Sequence, residues 1–558
     1  MQTWTQIYDP LGSVIAGFPQ YLLSALVAAI PLIVLFYMLA VRRSPGHFAA
    51  LAGTGSAVLL AILVWGTPVS FALNATVMGA CFGLFPIVWI VITAVWVYNM
   101  TVESGEFEII KTSLANLTDD RRLQAIFIAF AFGAFIEGTA GFGTPVAITA
   151  AMLVGLGFNP LYAAGICLIA NTAPVAFGAI GVPVVVAAQV GQLDLMHVTK
   201  IVGRQLPFLS VIVPLWLCIA MCGVKRSLEV LPAILVAGFC FALTQYLSSN
   251  FHGPYLPDIL SAIATLIGLI VLLRFWKPKS TWHFPHEEAP VANTNKVTYT
   301  TAQVLRAWAP YLILAAMVFV WGLQTFKDLV ASTVIAFEWP GLHNMVVKTA
   351  PIAAADTPYA AKYTLNLLTA GGTAILFSGF LASFVMPGYG LGKAIPCFFR
   401  TCYQLRFPVF TIAMILGLAY IMNYSGMSST LGLAFTKTGA FFPFFAPILG
   451  WLGVFLTGSD TSSNALFCGL QRTTAEAVGV DPHLTVAANS SGGVTGKMIS
   501  PQSISVATAA AGMVGQEGNL FRFTLWHSMA MTFVVCVITY LQAYWLKWML
   551  PPYTPPGM

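Results

Sequence analysis

Charged residues are what this 558-residue sequence has least of. Asp, Glu, Lys and Arg together make up 8% of it, against 58% in the AVILMFWYC set, where a soluble domain carries about a quarter charged residues. That shortage excludes a water-soluble enzyme, a disordered tail protein and a nucleic-acid module. The 25 basic residues never form a run longer than two, so the formal net charge of +6 reads as membrane topology rather than as a patch for an acidic partner. The nine cysteines fall mostly inside apolar runs, with no CxxC and no Cys/His metal spacing, which argues against a disulfide framework and a zinc site. No Lys or Arg precedes Arg42. The apolar run 14–41 therefore lacks the basic start of a cleaved leader and is expected to remain as the first spanning helix.

What is abundant is apolar length, with a mean hydropathy of +0.83. A spanning helix needs about 20 apolar residues, and ordinary runs of that kind lie near 14–41, 48–70, 75–98, 199–223, 229–248, 257–275, 303–323, 369–388, 407–425 and 524–549. Two further regions, 123–190 and 441–510, are as apolar but are interrupted by Gly, Pro, Ser, Thr and Asn. Such backbone survives at membrane depth only where protein or a polar cavity satisfies it.

The two interrupted regions share a plan. In the first, FIEGTAGFGTPVAIT (Phe135 to Thr149) precedes LIANTAPVAFGAIGVPV (Leu168 to Val184); in the second, LTGSDTSSNALF (Leu456 to Phe467) precedes VAANSSGGVTGKMISPQS (Val486 to Ser503). A carboxylate at one break (Glu137, Asp460) is followed by an Asn at the next (Asn171, Asn489), 34 and 29 residues on. The expected fold is an all-α polytopic membrane protein of about 12 spans with two inverted repeats, each holding a re-entrant hairpin and a broken helix. The first half is 1–275, with its hairpin at about 123–158 and broken helix at about 160–190. A cytoplasmic linker, 276–302, leads to the second half, 303–558, with its hairpin at about 441–475 and broken helix at about 484–510. With the amino terminus outside, 16 basic residues fall inside and 8 outside, leaving Lys497 in the membrane; that bias favours this orientation. Hairpins that cross fully would change the parity.

Polar residues at the breaks are the candidate site. Thr144-Pro145 reads as an N-cap with Pro at the first helical position, the cluster Thr461, Ser462, Ser463 as a cap for the arm carrying Asn464, and Ser500-Pro501 as a repeat of the device. Helix amino termini suit a small carboxylate, although small residues also simply let helices pack. Glu137, Asp460 and Lys497 lie within apolar runs, where a charge is costly and marks a function by default. Desolvation disfavours the charged form of such groups, so Glu137 and Asp460 are the expected proton-coupling sites and Lys497 the partner of a substrate carboxylate, unless Lys497 only pairs with one acid. Asn171, Thr172, Asn489 and Ser490 either coordinate substrate or cap the broken helices. Ser491 to Met498 approaches a P-loop but lacks its first Gly and its Ser/Thr, which argues against ATP hydrolysis.

The long strings VGRQLPF (Val202 to Phe208), QYLSSNF (Gln245 to Phe251), TAQVLRAW (Thr301 to Trp308), NYSGMSSTL (Asn423 to Leu431), GWLGVFLTGSDTSSNALF (Gly450 to Phe467) and GGVTGKMISPQS (Gly492 to Ser503), after YDP at Tyr8, resemble the lactate permease family nearly end to end. The resemblance implies a bacterial inner-membrane symporter that takes up lactate with protons, with D-lactate and glycolate as related substrates, no enzyme activity, no cofactor, no metal, and membrane lipid rather than nucleic acid as its surroundings. It also implies kinship with transporters that carry two re-entrant hairpins. A glycolate-preferring permease, an uncoupled 2-hydroxy acid channel and sodium coupling are the competing readings.

Overall fold

The computed structural model describes residues 3–12, 20–42, 44–141, 143–284, 298–353 and 355–552. The start of the first apolar run (14–19), Arg43, Phe142 of the first hairpin, and the centre of the expected linker with Lys296 lie outside the described residues.

A bilayer core offers no hydrogen-bond partners, so apolar segments must satisfy their backbone internally, and they do so as helices. The helices that bear on the site are, in chain order, α1 (Leu22–Leu39), α2 (Gly46–Leu63), α3 (Val69–Glu103), α4 (Arg121–Thr139), α5 (Thr144–Gly155), α6 (Pro160–Ala170), α7 (Gly178–Gly191), α8 (Leu195–Leu228), α9 (Leu231–Phe251), α10 (Pro257–Phe275), α11 (Thr301–Gly322), α12 (Gly371–Val385), α13 (Arg406–Ser425), α14 (Phe442–Thr457), α15 (Asp460–Val478), α16 (Pro482–Gly496), α17 (Pro501–Ala510) and α18 (Glu517–Tyr544); shorter helices at Glu106–Ala115, Gln324–Leu329, Gly390–Gln404 and Met427–Phe435 complete the described set of α-helices. Among the described residues, 11 helical segments are long and apolar enough to cross a membrane, or up to 12 if the pair bent by 64° at the α6–α7 break counts as one span. The chain is an all-α, multi-pass membrane protein.

Two expectations change in detail. The run 369–388 yields α12, whose 15 residues reach about 22 Å at 1.5 Å per residue, short of a hydrocarbon core of about 30 Å; Met386-Pro387-Gly388 follows, and proline cannot continue a helix. The stretch 323–368 reads as loop but contains short strands. In sheet order, β1 (Trp4–Thr5) pairs in parallel with β3 (Val346–Lys348), which pairs antiparallel with β4 (Thr357–Pro358); β2 (Ile335–Glu338) pairs antiparallel with β5 (Lys362–Leu365) in register Ile335↔Leu365.

Helix starts around the breaks reuse one device, a capping side chain followed by proline: Asn159 accepts from Leu161 N before Pro160, Asp481 from His483 N before Pro482, and Ser500 from Ser503 N before Pro501. Proline at the first helical position forfeits only an N–H that has no helical partner there. The packing of the two interrupted regions is crosswise. α5 lies on α17 of the other region and α15 lies on α7, while α14 and α16 pack on each other. The α14–α16 contact is backbone on backbone: a β-carbon at Gly450 would collide with Asn489 O, and one at Gly492 with Pro447 O. Only glycine permits that approach.

The ends of the long α8 mark two faces. Near its carboxyl end, buried Arg122 pairs with Asp120 and Glu229 at 2.7 Å each, Arg226 also meets Glu229, and Arg121 N donates to Trp282 O. Near its amino end, Arg472 donates to Gly191 O and Gln192 Oε1, Gln192 donates to Tyr359 Oη, and Lys348 Nζ stands 3.6 Å above the Tyr359 ring. Burial and the nearby Arg472 push the Lys348 ammonium down to about 8.

Candidate functional site

Glu137 enters the core because α4 is wholly buried, so its last turns have no lipid-facing side on which a carboxylate could reach water. Lys497 follows the end of α16, where the chain leaves the helix for one tight turn before Ser500 starts α17. These two breaks bring the charges together: Lys497 Nζ donates to Glu137 Oε1 at 2.7 Å, with side-chain exposures of 9% and 4%. The ion pair joins the two interrupted regions, and removing one partner of such a buried pair strands the other. Gly178, at the start of α7, makes room for it, because a β-carbon there would stand 2.6 Å from Glu137 Oε1. The residues that follow, Ala179, Ile180 and Gly181, hold φ of 45°, 57° and 74°. A left-handed backbone is costly for residues with a β-carbon, and such strain is concentrated at functional sites.

A cavity of about 980 Å³ opens over this pair; Glu137, Gly178, Ala179, Asp460, Ser462 and Lys497 are among its lining residues. His47, Phe407, Glu517 and Phe521 also line it; Phe407 and Phe521 directly adjoin Arg406 and Arg522 in sequence, and Arg42 lies five residues before His47.

The remaining expected site residues divide sharply. Thr144, Asn171, Thr172, Ser463, Asn464, Asn489, Ser490 and Ser500 do not line the cavity. Three of them, Asn464, Asn489 and Ser490, form a network around Asp460. Asp460 Oδ2 accepts from Ser490 Oγ at 2.5 Å and from Asn464 Nδ2 at 3.3 Å. Asn464 Nδ2 also donates to Pro183 O of α7 at 3.0 Å, while Asn464 Oδ1 accepts from Asn489 Nδ2 at 2.9 Å. Gln471, which sequence reasoning passed over, donates to Asn489 Oδ1 at 3.1 Å and Ala446 O at 2.8 Å, and Ser463 donates to Gly450 O at 3.0 Å. In the first region, both side-chain atoms of Asn171, Thr172 Oγ1 and Glu137 Oε2 are buried with no hydrogen-bond partner among the described residues, as are Asp460 Oδ1 and Gln471 Oε1 in the second.

Two of the expected caps are corrected. Thr144 is already helical; Gly143, at φ 83°, precedes it and there is no side-chain cap, because the left-handed glycine turns the chain by itself. For α15 the cap is Ser459, whose side chain accepts from Ser462 N. Its extended backbone suits that role, and it leaves Thr461, Ser462 and Ser463 inside the first turn. The Ser500-Pro501 expectation holds. Asp258, which sequence reasoning did not single out, lies buried at the start of α10. As a lone acid in a first turn it carries only the ordinary signal of a helix amino terminus.

Away from the cavity, His197, Asp481 and His483 each bring one potential metal-ligand atom to within 4.8 Å of the others. Asp481 Oδ1 already caps α16 and lies 2.9 Å from His483 Nδ1, so helix capping accounts for it.

The family model described as L-lactate permease matches residues 24–546. The chain belongs to the L-lactate permease family. It is 49% identical to the L-lactate permease of Bacillus subtilis (98% of this chain, 100% of that one) and 50% identical to the glycolate permease GlcA of Escherichia coli (99% and 100%). Among solved structures, the YdaH transporter of Alcanivorax borkumensis aligns at TM-score 0.47 and 14% identity, over 86% of this chain and 90% of that one. As a family member this chain is a multi-pass permease for small molecules.

Proposed function

We propose that this permease takes up L-lactate, and with it D-lactate and glycolate, across the bacterial inner membrane together with protons. The observation that carries the reading is the buried Lys497–Glu137 pair lining the cavity. A substrate carboxylate entering the cavity competes with Glu137 for the Lys497 ammonium. Glu137, deprived of its cation in a dry site, takes a proton, because burial disfavours an unpaired charge. One proton then accompanies each anion. The coupling also removes an electrical penalty, since a lone anion moving against a negative interior loses about 2.3 kcal/mol per 100 mV. Asp460, with one oxygen held in the network and the other unpartnered, serves as a second proton acceptor. Ser462 offers a hydroxyl in the cavity wall; Asn171 and Thr172, unpartnered among the described residues, complete the site when the α6–α7 break shifts. The 50% identity to a permease named for glycolate favours glycolate as a second substrate.

The crosswise packing of α5 on α17 and α15 on α7 supports two inverted repeats with halves at 1–275 and 303–558. The separation of Arg121, Arg122 and Arg226 from Lys348 and Arg472 at opposite ends of α8 supports an inside and an outside face, the amino terminus lying outside. On that orientation the cavity opens inward, beside Arg42, Arg406 and Arg522.

The test is uptake of labelled L-lactate into proteoliposomes under an imposed inward proton gradient without sodium. Transient accumulation above equilibrium, abolished by a protonophore, is the expected result. Uptake that only equilibrates means a facilitator, and accumulation that requires external sodium replaces the proton.

A further inference from the structure

Asp258 stands apart among the buried acids, since neither carboxyl oxygen has a partner among the described residues. It is 1% exposed, and both Oδ1 and Oδ2 are buried without a hydrogen-bond donor among the described residues. A carboxylate in that setting carries its full desolvation cost with no compensation. A neutral acid carries much less. The fold gives no sign that the position is incidental: a β-carbon at Gly138 would stand 2.8 Å from Asp258 Cβ, so α4 presents a residue without a side chain to Asp258. Glu137 is the next residue along.

The elements packed on α10 are α4, α7 and α9. The charged groups that face Asp258 from them and from the neighbouring break are Glu137 and Lys497; α7 contributes no titratable residue, and α9 contributes only Cys240 and Tyr246. Glu137 lines the cavity and Asp258 does not. Asp258 also lies at the end of α10 away from Arg274, next to the α9–α10 turn, where a β-carbon at Gly253 would lie 3.4 Å from Met196 Sδ, near the amino end of α8. It therefore lies toward the face at the amino end of α8, whereas the proposed cavity mouth lies beside Arg42, Arg406 and Arg522.

We propose that Asp258 is a proton-binding site of transport, relaying the proton that enters from the face opposite the cavity mouth to Glu137. The inference rests on the symport reading above. When the substrate carboxylate takes the Lys497 ammonium, the proton on Asp258 passes to Glu137, and Asp258 regains one from solvent on the far face. One proton moves with one anion and net charge is conserved.

The experiment compares Asp258→Asn with the unaltered full chain in proteoliposomes, by L-lactate counterflow and by accumulation under a gradient of about one pH unit, which one-proton coupling converts to roughly tenfold. The expected result is that the variant loses accumulation and keeps most of its counterflow, because the amide imitates the protonated acid. Accumulation at the unaltered level overturns the proposal, as does parallel loss of both activities in a variant that still folds. If the unaltered chain itself does not accumulate lactate, the symport reading fails and the relay with it, a result separate from failure of the variant alone. Should Asp258→Asn not fold, an apolar carbodiimide, which reacts with protonated buried carboxyls, is applied to the unaltered protein and mapped by peptide mass spectrometry. Adducts at Asp258 support the relay and their absence overturns it.

Discussion

In the second interrupted region, Asp460, Asn464, Gln471, Asn489 and Ser490 are tied to one another and, through Pro183 O, to α7. In the first, among the described residues, the Glu137 side chain has a single partner, borrowed from the second region, and the Asn171 and Thr172 side chains have none. Similar breaks, with similar residue types, thus end in opposite states. A dense network fixes a framework, since each group it holds would be costly to leave unpaired; Asp460 Oδ1 and Gln471 Oε1 are the oxygens it leaves without a partner among the described residues. Buried groups left without partners are costly to keep and gain most from a ligand. The difference assigns rigidity to 442–510 and ligand engagement to the first region, with Lys497 as the charged group the framework extends across.

The largest expected effect comes from that bridge. Lys497→Met should abolish L-lactate counterflow and, by stranding Glu137, cost about 3–5 kcal/mol of stability, visible as a large fall in Tm. Next is the framework itself: Gly450→Ala, which drives a methyl into Asn489 O, should cost about 1–3 kcal/mol as overpacking and reduce folded yield in detergent. A matched pair then sharpens the contrast. Asn464→Ala should lower Tm by leaving Pro183 O and the Asn489 amide unpaired, about 1–3 kcal/mol, while substrate affinity changes little. Asn171→Ala should weaken substrate binding with no loss of Tm. The reverse pattern would break the division of labour. The smallest effect lies outside the membrane: acetylation of Lys348, followed by mass spectrometry, should rise through pH of about 8 rather than near 10.4, the ordinary lysine value, because only the neutral amine reacts and burial beside Arg472 favours it.

Much of this was legible in the chain. Most of the spans, both breaks and the burial of Glu137, Asp460 and Lys497 follow from apolar runs and their interruptions, because lipid makes each polar residue conspicuous. The family followed from strings such as GWLGVFLTGSDTSSNALF. Pairing was less legible. That Lys497 chooses Glu137 over Asp460, with 360 residues between them, depends on tertiary packing that no local pattern encodes. The same holds for the fate of the asparagines: Asn489 and Asn171 occupy matching places in the repeat, and only the presence of Gln471 and Asn464 across from the former satisfies it. Asp258 escaped notice because an acid in a first helical turn is ordinary; its burial against Gly138 is what sets it apart.

The most direct measurement is L-lactate counterflow together with Tm for the double variant Glu137→Gln, Lys497→Met. With neither charge left stranded, Tm should return close to that of the unaltered protein, while counterflow stays absent because no ammonium receives the substrate carboxylate. A double variant that transports lactate as well as the unaltered protein would contradict the placement of the substrate at Lys497.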